Sequence, residues 1–297
     1  MENPPSGMYV PVRDKNFVVQ EALENLWLVV SCRASDGPQN LLFVGPTGCG
    51  KTSSAEQYAA ATNRHVLDYS CATRREPRDW FGYWALRNGQ TVWIESAFAR
   101  ACRTGDCVII LDEISRATAA VLNGLMSLLD HRRCLWLEEK QELLTVGRNV
   151  VFAATMNEGA SYTGTLALDR ALRDRFSRRV EVGFLPPDKE AQVLVGRTGC
   201  DRAVAESLVE IASNVRAKAE SDEATFSQAI STRQLIAAAG DFTHGGVESL
   251  TYTLVNHFSS EGGDASERAA ILQLVQGKFG SDEEKSEASA MEGLDCD

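Results

Sequence analysis

The sequence predicts an α/β fold of three layers, with a parallel sheet between two sets of helices and an all-helical region after it. Three observations carry that expectation. Short runs of continuous apolar residues recur, stretches of helical periodicity lie between them, and the proline pair Pro186-Pro187 ends the alternation. Strands apolar on both faces and separated by helices belong to parallel sheets covered on both sides.

The expected strands are 41–44, 65–70, 107–111, 149–155 and 179–184, with helices such as 53–61 and 117–129 between them. Beyond the prolines only helical patterns follow, at 189–197, 202–219, 232–239, 247–259 and 266–278. One hairpin stands out inside the first region, at about 82–94. Asn88-Gly89 sits between two apolar runs, and a two-residue type I′ turn needs positive φ at both positions. Pairing outward from it sets Trp84 opposite Trp93, a pair that would stiffen the hairpin. The expected organisation is a first domain over 8–186, a helical domain over 187–280, and a tail over 281–297. The tail has no periodicity and little to bury, so it is expected to be disordered.

Composition narrows the classes. The 297 residues are 44% apolar, enough for a sizeable core. No run of eighteen apolar residues occurs, so no membrane span is expected. The N-terminus lacks the pattern of a signal peptide, and a cytoplasmic location is the expectation. Eight cysteines without a C-x-x-C pair, and four histidines out of metal-ligand spacing, predict neither a zinc site nor a disulfide framework. The net charge is −11, of which the tail, with seven acidic residues and one lysine, holds −6. That balance argues against a surface that grips nucleic acid throughout, while leaving a local basic channel open.

The chemistry begins at residues 45–52. Gly45, Pro46, Thr47, Gly48, Cys49, Gly50, Lys51 and Thr52 make a full match to G-x-x-x-x-G-K-[ST], between an apolar strand and a helix. The glycines let backbone N–H groups turn toward phosphate oxygens. Lys51 would set a charge at the β- and γ-phosphates, and Thr52 would offer its hydroxyl to magnesium. ATP and Mg²⁺ are the expected ligands of a P-loop NTPase fold. Cys49 reads as a small filler, with redox sensitivity at a helix N-terminus as the alternative. Further on, the apolar run 108–111 ends in Asp112 and Glu113. Ligands bind at the C-terminal ends of strands in such sheets. Asp112 is then the candidate for the metal, and Glu113 for polarising the attacking water.

Taken together with YVP (9–11), DWFGYWALRNGQTVW (79–93), ATMNEG (154–159), GTLALDRALRDRF (164–176) and STR (231–233), these motifs resemble the AAA+ ATPases of the MoxR type, closest to their CbbQ/NirQ/NorQ branch. The resemblance covers most of the chain up to about 245. It implies a helical lid after the sheet domain and a homo-oligomer, a hexameric ring. It also implies remodelling or activation of a separate client or adaptor, which in relatives often carries a von Willebrand A domain. Asn157 matches the sensor that orients the water, and Arg233 the second sensor. Arg175 matches the arginine finger that reaches a neighbour's ATP, with Arg170 as a second candidate. Glu158 departs from the proline of many relatives, which bears on the shape of that loop.

Plainer readings stand beside these. Asn157 also reads as a simple strand-end cap, Arg233 as a first-turn arginine, and part of the arginine cluster 170–179 as a solvated face. In the resembling family an insertion occupies the hairpin's position, which makes it a lever or a substrate contact. Packing on its own domain is the alternative. A different function class, a nucleic-acid motor or regulator, draws on Arg74, Arg75 and Arg78 beside Trp80, Phe81 and Trp84, a stacking combination.

Overall fold

A computed structural model of the chain describes residues 7–20, 38–157, 168–219, 226–257 and 265–280, with part of a helical stretch between 23 and 30. Glu158 and the tail 281–297 lie outside the described residues. The chain divides into two compact units, Met1–Gly183 and Phe184–Asp297.

The first unit is built on five parallel strands. They are β1 (Leu41–Val44), β2 (His65–Ser70), β5 (Cys107–Asp112), β8 (Val151–Met156) and β9 (Arg178–Glu181), in the order β2-β5-β8-β1-β9. Every residue of β1 and β8 is buried, as is all of β5 but Asp112, so both faces of the sheet are covered. Side chains alternate along a strand. Leu42, Leu67, Ile109, Leu111, Phe152 and Ala154 therefore share one face, where they pack with Phe98, Ala101 and Cys102 of helix α2 (Ala97–Thr104). Helix α1 (Lys51–Ala61), which follows the glycine-rich loop, packs on β2, β5 and β8 and buries Ala55, Tyr58 and Ala59. Tyr9 forms an antiparallel bridge with Val66, which ties residues ahead of the sheet to its outer strand.

Two hairpins leave this sheet. β3 (Gly82–Arg87) and β4 (Gln90–Glu95) meet at Asn88 and Gly89, whose φ angles are 51° and 78°. Trp84 pairs with Trp93, ring centroids 5.4 Å apart. The second hairpin, β6 (Cys134–Leu137) with β7 (Glu142–Thr145), is not foreseen from sequence. The Trp84 indole N–H donates to Glu139 O in its turn at 3.0 Å, so one hairpin rests on the other.

Between β5 and β6 the expected continuous helix 117–129 is broken. A 3₁₀ turn (Ile114–Arg116) precedes two short helices, α3 (Ala119–Asn123) and α4 (Met126–Leu129), with Gly124 at the break, a residue that weakens helix interiors. The last helix of this unit, α5 (Arg170–Arg173), leads into β9.

The second unit is helical: α6 (Pro187–Thr198), α7 (Arg202–Ala219), α8 (Thr232–His257) and α9 (Ala265–Phe279) around Leu194, Leu208, Ile211, Leu235, Leu250 and Ile271. Two separate helices are expected where α8 runs. The run is two helices that meet at a kink, with the non-helical Gly246 at φ 63° and ψ −155° between them and the second starting at Val247 as expected. Glycine takes that conformation without a Cβ penalty. No described helix is long and apolar enough to cross a membrane.

Candidate functional site

The glycine-rich loop leaves β1 at the C-terminal edge of the sheet, between β8 and β9. Its shape depends on residues without side chains. Gly48 and Gly50 have φ of 72° and 98°. A Cβ on Gly45 would stand 2.0 Å from Val182 O, so the chain after β9 passes too close for any other residue. Lys51 is buried, and its ammonium donates to Gly45 O at 2.9 Å and Pro46 O at 2.6 Å, which holds it on the loop. Cys49 donates its thiol hydrogen to Val182 O at 3.0 Å. Burial pushes that thiol up, against the opposing pull of Lys51, so it stays protonated at neutral pH. This is the geometry of a small packing residue.

Asp112 ends β5. Its Oδ1 accepts the Thr52 hydroxyl at 2.9 Å, which joins the loop helix to the acidic strand end. Thr155 of β8 donates to the same oxygen at 2.6 Å. Glu113 follows with φ 52° and ψ 48°, left-handed and rare for a residue with a Cβ. Its N–H donates to Thr155 Oγ1 at 3.0 Å, and its carboxylate pairs with Arg116 Nε at 3.0 Å. Hydroxyl and carboxylate oxygens are hard donors of the kind magnesium takes, so this group fits such an ion. Asn157 stands directly after β8, half-buried, at the same edge. On the neighbouring strand β2, burial and then the charges of Asp112 and Glu56 raise the Asp68 carboxyl.

Arg175 lies away from this edge. Arg175 donates from Nε to Met126 O at 3.0 Å and from Nη1 to Ala171 O at 2.5 Å. Its own carbonyl accepts from Asn40 Nδ2 at 2.8 Å. Asn40 precedes β1 and Gly45 follows it, so Arg175 sits at the opposite edge of the sheet from the loop. Arg170 is exposed at the start of α5. Arg233 is exposed in the first turn of α8, in the second unit.

Trp80 is fully buried against Tyr69 and Phe98, Phe81 is nearly so, and Arg74 lies over the Tyr69 ring. Two of the three aromatics that suggested base stacking are therefore part of the core. Two residues of the site escape sequence reasoning, Thr155 and Arg116. For Thr155 a signal existed, a hydroxyl inside an otherwise apolar buried strand.

A five-stranded parallel sheet in this order, a phosphate loop on its central part and paired carboxylates two strands away define an AAA+ ATPase. Known proteins agree. Residues 40–176 match the AAA domain of the dynein-related subfamily, and residues 190–277 match the CbbQ/NirQ/NorQ C-terminal family. BssE of Thauera aromatica is 36% identical over 79% of this chain and 82% of its own. NorQ of Paracoccus denitrificans is 31% identical over 78% and 79%. A RuvB Holliday junction branch migration motor from Thermotoga maritima shares the fold alone, with a TM-score of 0.51 at 17% identity over 90% of this chain and 72% of the other. The chain belongs to the MoxR-type AAA+ ATPases, in their CbbQ/NirQ/NorQ branch, and is a nucleotide-binding ATPase.

Proposed function

We propose that this chain works as a ring of identical subunits, hexameric, and couples ATP hydrolysis to the remodelling or activation of a separate client protein, in the cytoplasm. The observation that carries the ring is the position of Arg175. Four strand residues separate Asn40, which holds the Arg175 carbonyl, from Gly45. At ~3.3 Å per residue that is about 16 Å along the strand, at the opposite edge of the sheet from its own phosphate loop. An arginine placed so serves a phosphate bound to a neighbour, with Arg170 beside it. The client reading draws on the branch, in which BssE carries the name of a candidate chaperone and NirQ of Pseudomonas aeruginosa that of a denitrification regulatory protein.

Within one subunit the roles divide as follows. The loop amides of 45–52 and Lys51 bind the phosphates. Thr52 and Asp112 would hold magnesium, which when bound neutralises charge on the β- and γ-oxygens. Glu113 polarises the attacking water and Asn157 orients it. Arg233 acts as the second sensor.

The test mixes two inactive proteins. Glu113→Gln keeps its finger but lacks the base, and Arg175→Ala keeps its base but lends no finger. Mixed rings should regain turnover at interfaces that pair an intact Glu113 with an intact Arg175. A mixture as inactive as its parts, with mixed rings demonstrably formed, would reject Arg175 as the finger and move the test to Arg170. A protein that hydrolyses ATP at full rate as a monomer would reject the ring. Affinity capture on Glu113→Gln in ATP then tests for the client, a von Willebrand A-domain protein among the expected catches.

A further inference from the structure

We infer that Thr155 is a positioning residue for ATP hydrolysis, a single hydroxyl that sets both carboxylates of the site at once. The inference rests on the reading of Asp112 and Glu113 given above. Thr155 is 1% exposed in a strand otherwise made of Val151, Phe152, Ala153, Ala154 and Met156. A lone hydroxyl in such a setting is costly unless both its donor and its acceptor are used. Both are used here, and both on the same acidic pair. The O–H donates to Asp112 Oδ1 at 2.6 Å, and the oxygen accepts the Glu113 N–H at 3.0 Å.

Two consequences follow from the geometry. Asp112 Oδ1 takes hydrogen bonds from Thr52 and Thr155 together, which occupies its two lone pairs and fixes the carboxylate on the loop helix and on β8 at once. Glu113 is held in the left-handed region that L residues avoid. The N–H bond to Thr155 is a restraint that keeps it there. The Glu113 side chain leaves the strand at an angle that regular extended backbone would not give. Thr155 thus joins the metal carboxylate to the water-polarising carboxylate through one buried atom. Asn157 follows two residues on, just past the end of the same strand.

The test uses the full chain with Thr155→Val, which keeps the shape and removes the hydroxyl, and Thr155→Ser, which keeps the hydroxyl. Outer-shell partners of this kind typically cost 10–100-fold when removed, so kcat of Thr155→Val should fall by about that factor. Binding of a fluorescent ATP analogue should stay near that of the parent, because the loop and Lys51 are untouched. Thr155→Ser should return kcat close to the parent value. In the nucleotide-free protein, hydrogen exchange at the amides of 107–116 should quicken in Thr155→Val and not in Thr155→Ser. Should Thr155→Val fail to fold, Thr155→Ala, which introduces no clash, takes its place. Parent-like kcat in the Val variant, or equal loss in the Val and Ser variants, would overturn the inference. A Glu113→Gln control separates the two layers. If that control is inactive while Thr155→Val is fully active, only the role of Thr155 fails. If Glu113→Gln itself turns over at the parent rate, the reading of the acidic pair fails, and the role of Thr155 with it.

Discussion

Arg216 and Glu190 face each other inside the second unit as a bidentate pair, Nη1 to Oε2 at 2.7 Å and Nη2 to Oε1 at 2.9 Å, with 10% and 0% of their side chains exposed. The guanidinium also donates from Nε to Ile230 O and lies 3.7 Å above the Phe184 ring. Thr232 adds its hydroxyl to Glu190 Oε1 at 2.5 Å, which pins the first turn of the helix that carries Arg233. Breaking a buried pair on one side leaves a charge without its partner and costs about 3–5 kcal/mol. Glu190→Ala and Arg216→Met should each destabilise the second unit by that amount in urea denaturation. The double variant Glu190→Leu with Arg216→Met should lose less than either single change. Additive losses would mean the two residues contribute separately.

Lys51→Ala should lose ATP binding while keeping the melting temperature near that of the parent. The ammonium sits on loop carbonyls rather than in the apolar core. Isothermal titration with ATP checks the first half and a thermal melt the second. Retained affinity would contradict the assignment of the loop.

The double change Trp84→Ala with Trp93→Ala removes an edge-to-face contact at 71° and the bond from Trp84 to Glu139 O. Aromatic pairs of this kind contribute about 0.5–1.5 kcal/mol beyond their burial. The hairpin should loosen while basal ATP turnover stays intact. Activation of a client, once one is in hand, should be lost. Unfolding of the whole first unit would instead make the hairpin part of its core.

Asp79 accepts the backbone N–H groups of Arg75 and Glu76 at 2.9 and 3.0 Å, and these bonds hold its carboxyl below the usual range. A depressed carboxyl lends stability above its unfolded pKa and loses it as pH falls through the folded value. Asp79→Ala should therefore cost about 1 kcal/mol at neutral pH, the scale of a lost cap. The gap between variant and parent should close on acidification below about pH 4. Paired melts at the two pH values give the answer, and a gap that does not change with pH would remove the carboxylate from the account.

The sheet was legible in the sequence because its three inner strands, β5, β8 and β1, are nearly all apolar. The expected 41–44 and 65–70 coincide with β1 and β2, and the other three differ only at their ends. The first hairpin was legible for a local reason, since few residues besides Asn88 and Gly89 accept two positive φ angles in succession. The second hairpin had no such mark. Its strands are four residues each, and its turn passes through Glu138, Glu139, Lys140 and Gln141, with the positive φ at Gln141. The break in 117–129 was hidden because Gly124 sits inside a run whose apolar spacing still suits a helix. At the site, linear motifs gave the phosphate loop and the acidic pair. They could not give Thr155, whose role comes from pairing β8 beside β5, with Leu111 next to Ala154.

The position of β1 has a consequence for how the chain is made. Leu41 pairs with Ala153 on one side and with Arg178 on the other. The strand that leads into the phosphate loop therefore waits for partners synthesised far behind it, and pairings of such wide sequence separation close slowly. On the ribosome, β1 keeps an open edge until β9 has emerged. Val182, which bounds the loop at Gly45 and Cys49, arrives later still. A nascent chain stopped short of Arg178 should bind no nucleotide and should be the species most prone to aggregate.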